Sequence, residues 1–350
     1  DVVAQTTKSG LLFVLDRVTG EPIYPIEERP IRKSKLDGEE AWPTQPFPTV
    51  YPAFSRRDIR EDDLAIRSEA AREEARQVWE NNLIGEDFLP PSLEGAIIFP
   101  GYDGGAEWGG AAIDPSTNTM FVNTNEVSWY INVSPNTLST AGHNVYKSKC
   151  QSCHGSDLKG SEMFGTVPEL TNVSNTLTRS EMVDRIKNGK GVMPAFKMLS
   201  ETDINLVVDF LSGTEADTTK VKAKESWPYP YYFNGYTKNY AEDGLPIIKP
   251  PWGQLTAIDM NAAKIKWQVP LGNIDSLDIP GFPITGTENY GGPVATSGGL
   301  LFIAATKDEK IRAFDQETGK TLWEADLPAP GYATPSTYMV DGKQYLVIAY

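Results

Sequence analysis

Cys150, Gln151, Ser152, Cys153 and His154 set two thiols three positions apart with an imidazole beside the second, and the chain's 350 residues hold no other cysteine. That spacing suits covalent haem: one short turn offers two thiols to the two vinyl groups, and the adjacent histidine lies under the iron as proximal ligand. A C-x-x-C pair can also be half of a zinc or thiol-redox site. A structural zinc normally takes four ligands, and no second C-x-x-C is present. Downstream, Gly189-Lys190-Gly191-Val192-Met193-Pro194-Ala195-Phe196 puts a thioether on a loop. A soft sulfur suits the sixth position of a haem iron and raises its potential. Met193 is the expected distal ligand, Met198 the second choice and Met163 the third. His143 is read as a solvated helix residue.

The flanking sequence supplies elements that can position these groups. Residues 141–149 read as a helix leading into the motif, and Gly155 allows a tight backbone after it. Thr178-Arg179-Ser180-Glu181 and Ser200-Glu201-Thr202-Asp203 each put a hydroxyl three residues before an acid, which marks a helix start. The first predicted helix runs 181–188 and stops at Gly189. The second runs 203–211, with Ile204, Val207, Val208 and Leu211 on one face, and stops at Gly213. The segment from about 136 to 216 resembles a class I cytochrome c. That resemblance implies that the carbonyl of Pro168 accepts the proximal imidazole N–H.

Net charge is −15, from 32 Lys and Arg against 47 Asp and Glu. Such acidity argues against nucleic acid or an anionic membrane as partner and suits a basic redox partner. No apolar run of membrane-spanning length is visible, so membrane attachment is not evident. Covalent haem implies a periplasmic or other extracytoplasmic location. The chain enters directly into a strand at Asp1 and closes in one at Tyr350, which reads as truncation at both ends.

A repeat brackets the haem segment. Residues 14–24, 257–267 and 313–323 each give a strand, a turn of the D-x-x-T-G kind and a returning strand ending in Tyr24, Trp267 or Trp323. Asp suits the turn, Gly accepts positive φ, and the closing aromatic is expected to dock on the neighbouring unit. Repeated hairpins with such a signature imply a β-propeller. Residues 43–52 are too proline-rich for a central strand. Residues 58–82, dense in Glu, Arg and Ala, predict a solvated helix making a surface excursion. The aromatic run 227–233 is expected to pack at a domain seam, the alternative being that it lines a substrate entrance.

The segments outside 136–216 resemble the pyrroloquinoline quinone (PQQ)-dependent dehydrogenases, membrane glucose dehydrogenase branch. The matching stretches are residues 5–10 with 14–17, then 43–48, 108–115, 285–293 and 333–338. The resemblance implies a mainly β fold, part of an eight-bladed quinoprotein propeller, with an inserted all-α cytochrome c domain. The expected domains are 1–135 (with a helical excursion near 58–84), 136–216, and 217–350.

The chemistry it implies is oxidation of a sugar or alcohol by PQQ held with Ca²⁺. Lys8 matches the lysine that bonds the reactive quinone carbonyls, where a fixed ammonium stabilises charge on the reduced ring. Trp108, Asn289 and Tyr290 fall where the family places groups around the quinone. Glu107 departs from the pattern, standing where relatives often carry Asn, and Tyr290 replaces a Trp of some relatives. The catalytic aspartate and the calcium ligands are expected upstream of Lys8, outside this chain. Electrons would pass to the haem and then to an external acceptor, a soluble cytochrome or the quinone pool. The competing reading is a noncatalytic propeller scaffold carrying an electron-relay cytochrome.

Overall fold

The computed structural model describes residues 1–84, 87–135, 141–160, 167–214, 230–277 and 279–350. It is mainly β. Two four-stranded antiparallel sheets form its centre. The first orders Ala111–Asp114, Thr119–Asn125, Gly253–Asp259 and Lys264–Pro270 side by side, and the second orders Val294–Ala295, Leu300–Ile303, Lys310–Asp315 and Thr321–Asp326. Hairpins Val2–Thr6/Leu12–Asp16 and Ser336–Val340/Lys343–Val347 complete the series. Among the described residues the sheets do not close into a ring.

Strand alternation builds the cores between layers. Met120 and Val122 pack with Leu12, Val14, Tyr51 and Phe54 of the first hairpin region. Phe121, between them, packs with Leu255, Ala257, Leu301, Ile303 and Phe314 across the gap between the two sheets. Each such side chain contributes about 1.5–3 kcal/mol by leaving water.

The turns form as expected. In the three repeats one carboxylate oxygen, of Asp16, Asp259 or Asp315, accepts the backbone N–H groups two and three residues on. A fourth turn of this kind, not recognised in the sequence, starts at Asp114 and accepts from Ser116 N at 2.9 Å. Gly20 and Gly319 take φ of 76° and 72°, whereas Ala263 holds the same place at 51°. Trp267 docks on the next sheet, its Nε1 donating to Gln316 O at 2.9 Å. Tyr24 packs on the cluster that also holds Met260 and Ala263. Trp323 is 48% exposed among the described residues.

The proline-rich 43–52 region gives only Thr44–Pro48, paired with Ile26–Pro30 in a two-stranded ladder. The predicted helix over 58–82 is shorter, and it is not merely solvated. Helix α1 is Glu69–Asn81, capped by Ser68 Oγ accepting from Ala71 N. Ahead of it Glu61–Asp63 form a single 3-10 turn, and Leu64 and Ala65 then pair with another segment, Ala65 N donating to Ile247 O at 2.8 Å. Ala71 and Ala75 are buried, and their small size lets the helix backbone approach a core of Ile97, Phe99, Ile247, Ile248 and Trp252.

The first sheet is split in sequence: Asn125 lies opposite Gly253, and Thr119 opposite Asp259. Between those strands the chain leaves and returns through an antiparallel neck. Trp129 and Tyr130 pair with Lys238 and Thr237, and Val133–Pro135 with Tyr231–Phe233. Beyond the neck stand α2 (Ala141–Lys149), α3 (Gln151–His154), α4 (Arg179–Asn188) and α5 (Glu201–Ser212), packed on Tyr146, Val173, Met182, Ile186, Ile204, Val207 and Val208. The predicted caps form. Thr178 and Glu181 make a reciprocal capping box, Ser200 Oγ accepts from Asp203 N, and Gly189 and Gly213 end the helices at positive φ. Helix α2 rests on the neck: Tyr232 Oη donates to Asn144 Oδ1 at 2.8 Å, and Lys147 Nζ lies 4.3 Å over the Tyr232 ring. Trp227 and Tyr229 of the predicted seam lie outside the described residues. No helix among those described is long and apolar enough to cross a membrane.

Candidate functional site

The C-x-x-C-H turn sits at the junction of α2 and α3. His154 is 8% exposed, and its Nδ1 lies 3.2 Å from Pro168 O. A proton on Nδ1, held by that carbonyl, leaves Nε2 with its lone pair free for a metal. Burial holds the His154 pKa below the usual histidine value, which keeps the ring neutral. Burial likewise pushes the Cys150 thiol up to about 12. A thiol so protonated is a poor redox nucleophile, which weighs against the disulfide-exchange reading. Cys150 and Met193 both pack on the helical core. Met198 is 87% exposed, His143 stacks on Phe210 at 4.8 Å, and Met163 lies outside the described residues. The donor set therefore fits a c-type haem: two unpaired cysteines, an oriented imidazole and a half-buried thioether around one apolar core.

The second centre begins at the first hairpin. Gly10 closes its turn, donating to Thr7 O at 3.0 Å, and Lys8 projects from the tip. Lys8 Nζ donates to Tyr102 O at 2.5 Å. The loop carrying Tyr102 passes close because residue 104 is glycine: a Cβ there would stand 2.6 Å from Lys8 Cγ, and its φ is +85°. Glu107 lies on the same loop. Burial raises its pKa above the usual carboxylate range, with Lys8 opposing and Asp103 adding to the rise. Its Oε1 is buried and has no hydrogen-bond partner among the described residues.

Lys238, from the neck, ties this loop to the strand end at 288–290. Its Nζ lies 2.9 Å from Asp103 Oδ2, pairs with Glu288, and reaches Tyr290 Oη at 3.2 Å. Glu288 is also paired with Lys307 and accepts from Tyr240 Oη at 2.6 Å. Burial opposes the charge on both Lys238 and Glu288. The facing charges outweigh it, holding the lysine above its ordinary pKa and the carboxylate below. On the other side of Lys8 opens a cavity of about 450 Å³, lined by Arg57, Asp87, Phe88, Leu89, Phe99 and Tyr102 among others. Arg57 Nη2 stands 2.8 Å from Asp87 Oδ1.

Of the residues singled out in the sequence, Lys8 and Tyr290 belong to this centre. Asn289 lies beneath it, fully buried. Its Nδ2 donates to Thr124 O at 2.8 Å and Thr287 O at 3.1 Å, and its Oδ1 accepts from Asn123 at 2.6 Å. The amide thus fastens residues 287–291 to the central strand Thr119–Asn125. Trp108 is 68% exposed. Lys238, Asp103 and Arg57 were not found from sequence, for they sit in no motif. Glu288 lay inside a quoted stretch but was not distinguished from its neighbours. An anionic quinone fits this centre: Lys8 and Lys238 supply cations, and Glu107 Oε1 and the Trp129 indole N–H are buried polar atoms without partners among the described residues. No group of three His, Cys, Asp or Glu among them is gathered to hold a metal ion.

The chain is 33% identical over 353 residues to the glycerol dehydrogenase large subunit of Gluconobacter thailandicus, covering 98% of this chain and 39% of that one. It is 30% identical to the quinate/shikimate dehydrogenase (quinone) of Acinetobacter baylyi, over 98% of this chain and 35% of the other. Identity to the quinoprotein glucose dehydrogenase of Escherichia coli is 28%, with 99% and 36% covered. The chain thus spans less than two fifths of the length of these relatives. The crystal structure of a quinohaemoprotein alcohol dehydrogenase from Comamonas testosteroni aligns with a TM-score of 0.42 and 19% identity, covering 99% of this chain and 31% of that one. The family profile described as glucose/ethanol/alcohol dehydrogenase, beta-propeller domain, PQQ, matches residues 1–205 and 195–346. The chain belongs to this PQQ-dependent dehydrogenase β-propeller family.

Proposed function

We propose that the protein containing this chain is a PQQ-dependent dehydrogenase of sugars or alcohols that passes electrons to a c-type haem carried on the inserted helical unit. The observation that carries the enzymatic part is the tip lysine, Lys8, placed between the half-buried Glu107 carboxyl, whose Oε1 has no partner among the described residues, and a cavity wide enough for a small polyol. PQQ, when bound, supplies the two-electron acceptor. Lys8 would hold a quinone carbonyl and offset charge that develops on it. Glu107 stands where an amide would otherwise be, and burial disfavours its charged form. Lys238 would offset carboxylate charge while staying fixed by Glu288 and Asp103. A calcium ion belongs to the same proposal, with ligands from outside this chain.

The haem part rests on His154 being held by Pro168 O beside two free cysteines. Covalent linkage of both centres in one chain makes the internal electron step independent of a diffusional encounter. The same reading carries a periplasmic or other extracytoplasmic location, with a soluble cytochrome or the quinone pool as acceptor. The scaffold reading is less favoured, since a scaffold has no need of unpartnered buried polar atoms around a lysine. The deciding experiment is a visible spectrum of the full-length protein with Ca²⁺, with and without PQQ, during anaerobic addition of glucose, glycerol or quinate. Haem reduction that requires PQQ supports the proposal. Haem reduced by dithionite but by no substrate, with no PQQ binding, supports the scaffold.

A further inference from the structure

The site at Lys8 and the C-x-x-C-H turn are linked by a run of contacting rings as far as Phe233 and from there through the strand backbone of the neck. Tyr102, whose carbonyl receives Lys8 Nζ, has its ring 4.6 Å from that of Tyr236. On the other side of the site Lys238 Nζ lies 5.3 Å over Trp129, and Trp129 is 6.1 Å from Tyr236. Both lines therefore meet at Tyr236. From there the Phe233 ring is 4.8 Å away. Phe233 lies in the neck between Tyr232 and Asn234, and these two residues touch the helical unit. Tyr232 meets Asn144 of α2, and Asn234 Oδ1 lies 3.5 Å from Nε2 of Gln151, the residue next to Cys150.

We infer that Tyr236 and Phe233 are the electron-transfer bridge between the two redox centres, with Tyr236 as its junction. The inference rests on the dehydrogenase and haem readings above. Tunnelling weakens far less through bonded and packed atoms than across a water gap, and these rings stand in contact on the line from Tyr102 to the neck. Both are exposed at the surface of the seam, Tyr236 by 51% and Phe233 by 39%, so neither is explained as core. Their contacts are T-shaped, with interplanar angles of 78° and 67°, a geometry of direct edge-to-face packing. Each crossing moves one electron. With both groups bound, the electron would pass from reduced quinone to ferric haem, leaving ferrous iron that an external one-electron acceptor would reoxidise before the second electron followed. The two protons released go to water. The helical unit is accordingly docked, not loosely tethered, since Gln151 and Asn144 fix which edge of the motif faces the neck.

The test uses the full-length holoprotein with PQQ, Ca²⁺ and haem, and whichever of glucose, glycerol or quinate reduces a phenazine dye. Haem reduction by substrate is followed in a stopped-flow spectrometer, beside dye reduction, the haem midpoint potential and thermal unfolding. Tyr236→Leu is expected to slow haem reduction by about tenfold or more while dye reduction, potential and unfolding stay at wild-type values. Phe233→Leu should do the same, and Tyr236→Phe should restore the rate. Wild-type haem reduction in Tyr236→Leu overturns the bridge and leaves the dehydrogenase reading intact. A parallel fall of dye and haem reduction, not restored by Tyr236→Phe, also overturns it, because Tyr236 then supports the site. Wild-type haem that no substrate reduces, despite active dye reduction, removes the haem reading on which the bridge depends.

Discussion

The indole of Trp267 lies flat against Gly319 of the following sheet, so that a Cβ on residue 319 would stand 2.7 Å from its ring. Gly20 holds the corresponding turn of an earlier repeat, at φ +76°, with nothing within 4 Å of its missing Cβ. The pair separates backbone strain from packing. Gly20→Ala should cost only the left-handed penalty, about 1 kcal/mol. Gly319→Ala adds overpacking against Trp267 and should cost about 1–3 kcal/mol more. Denaturant unfolding of both variants measures the difference, and equal losses would remove the docking role assigned to Trp267.

The Lys8 side chain makes its one described hydrogen bond to Tyr102 O and the residue is exposed, so its replacement should not unfold the chain. Lys8→Met is expected to lower dye-linked substrate oxidation by about 10²–10³-fold, the usual loss when a charge-stabilising donor is removed. Its stability should stay within about 0.5 kcal/mol of wild type. Steady-state kinetics with a dye acceptor, paired with thermal unfolding, reads both.

Glu107 has a raised pKa in the folded protein, chiefly through burial. The folded state therefore holds its proton more tightly than the unfolded chain does. Stability should be highest below the ordinary glutamate pKa and decline as pH rises from there through the raised value. Glu107→Gln, always neutral, should lose that decline and be the more stable form at pH 8. Unfolding midpoints of the two proteins between pH 4 and 8 test the sign. A wild-type curve that rises relative to the variant would refute it.

Glu288 is shifted the opposite way. Burial works against its charge, but Lys238 and Lys307 hold its pKa below normal. Its stabilisation is present above the unfolded glutamate pKa, about 4.3, and is lost as pH falls through the lower folded value. Glu288→Gln leaves Lys238, buried at the site, with only Asp103 as a carboxylate partner. The expected loss is about 3 kcal/mol at pH 7, shrinking toward acid pH. Chemical denaturation at pH 7 and pH 3 checks both the size and the trend.

The proposed covalent haem predicts different outcomes for its attachment thiols and for its axial thioether. Cys150→Ser with Cys153→Ser should leave haem that acid–acetone extracts, whereas wild-type haem stays with the polypeptide. Met193→Ala should keep covalent haem but lower its midpoint potential, since the thioether favours ferrous iron. Met198→Ala, at an 87% exposed position, should leave the potential unchanged. Spectroelectrochemical titration distinguishes Met193 from Met198 as the sixth ligand.

What was legible in the sequence is what short spacing controls. The C-x-x-C-H turn, the Thr178 and Ser200 caps, and the Asp16, Asp259 and Asp315 turns are all local. Each is a side chain meeting backbone within a few residues, so neighbouring letters suffice to specify it. The fourth turn at Asp114 escaped notice because Val122 stands eight residues on, where the other three repeats carry Tyr24, Trp267 or Trp323. The helix over 58–82 was misjudged because composition reveals charge but not contact. Only the fold brings Ala71 and Ala75 against Ile247 and Ile248, more than 170 positions away in the chain.

The site divides along the same line. Lys8 was found because its surroundings are a recognisable stretch, but Lys238 occupies a plain strand end with no pattern around it. It becomes part of the centre only because Trp129–Tyr130 pairs with Thr237–Lys238, which carries its ammonium to Asp103 and Glu288. Asn289 shows the converse. Its position in sequence suggested contact with a cofactor, whereas tertiary packing turned its amide inward to Asn123, Thr124 and Thr287. The sequence alone determined which groups are chemically able to act, because reactivity resides in residue type and local spacing. Which of them meet, which are buried beside an opposite charge, and how Tyr236 comes to stand between the two centres were decided by strand pairing across the inserted unit, a long-range choice that no short stretch of the chain encodes.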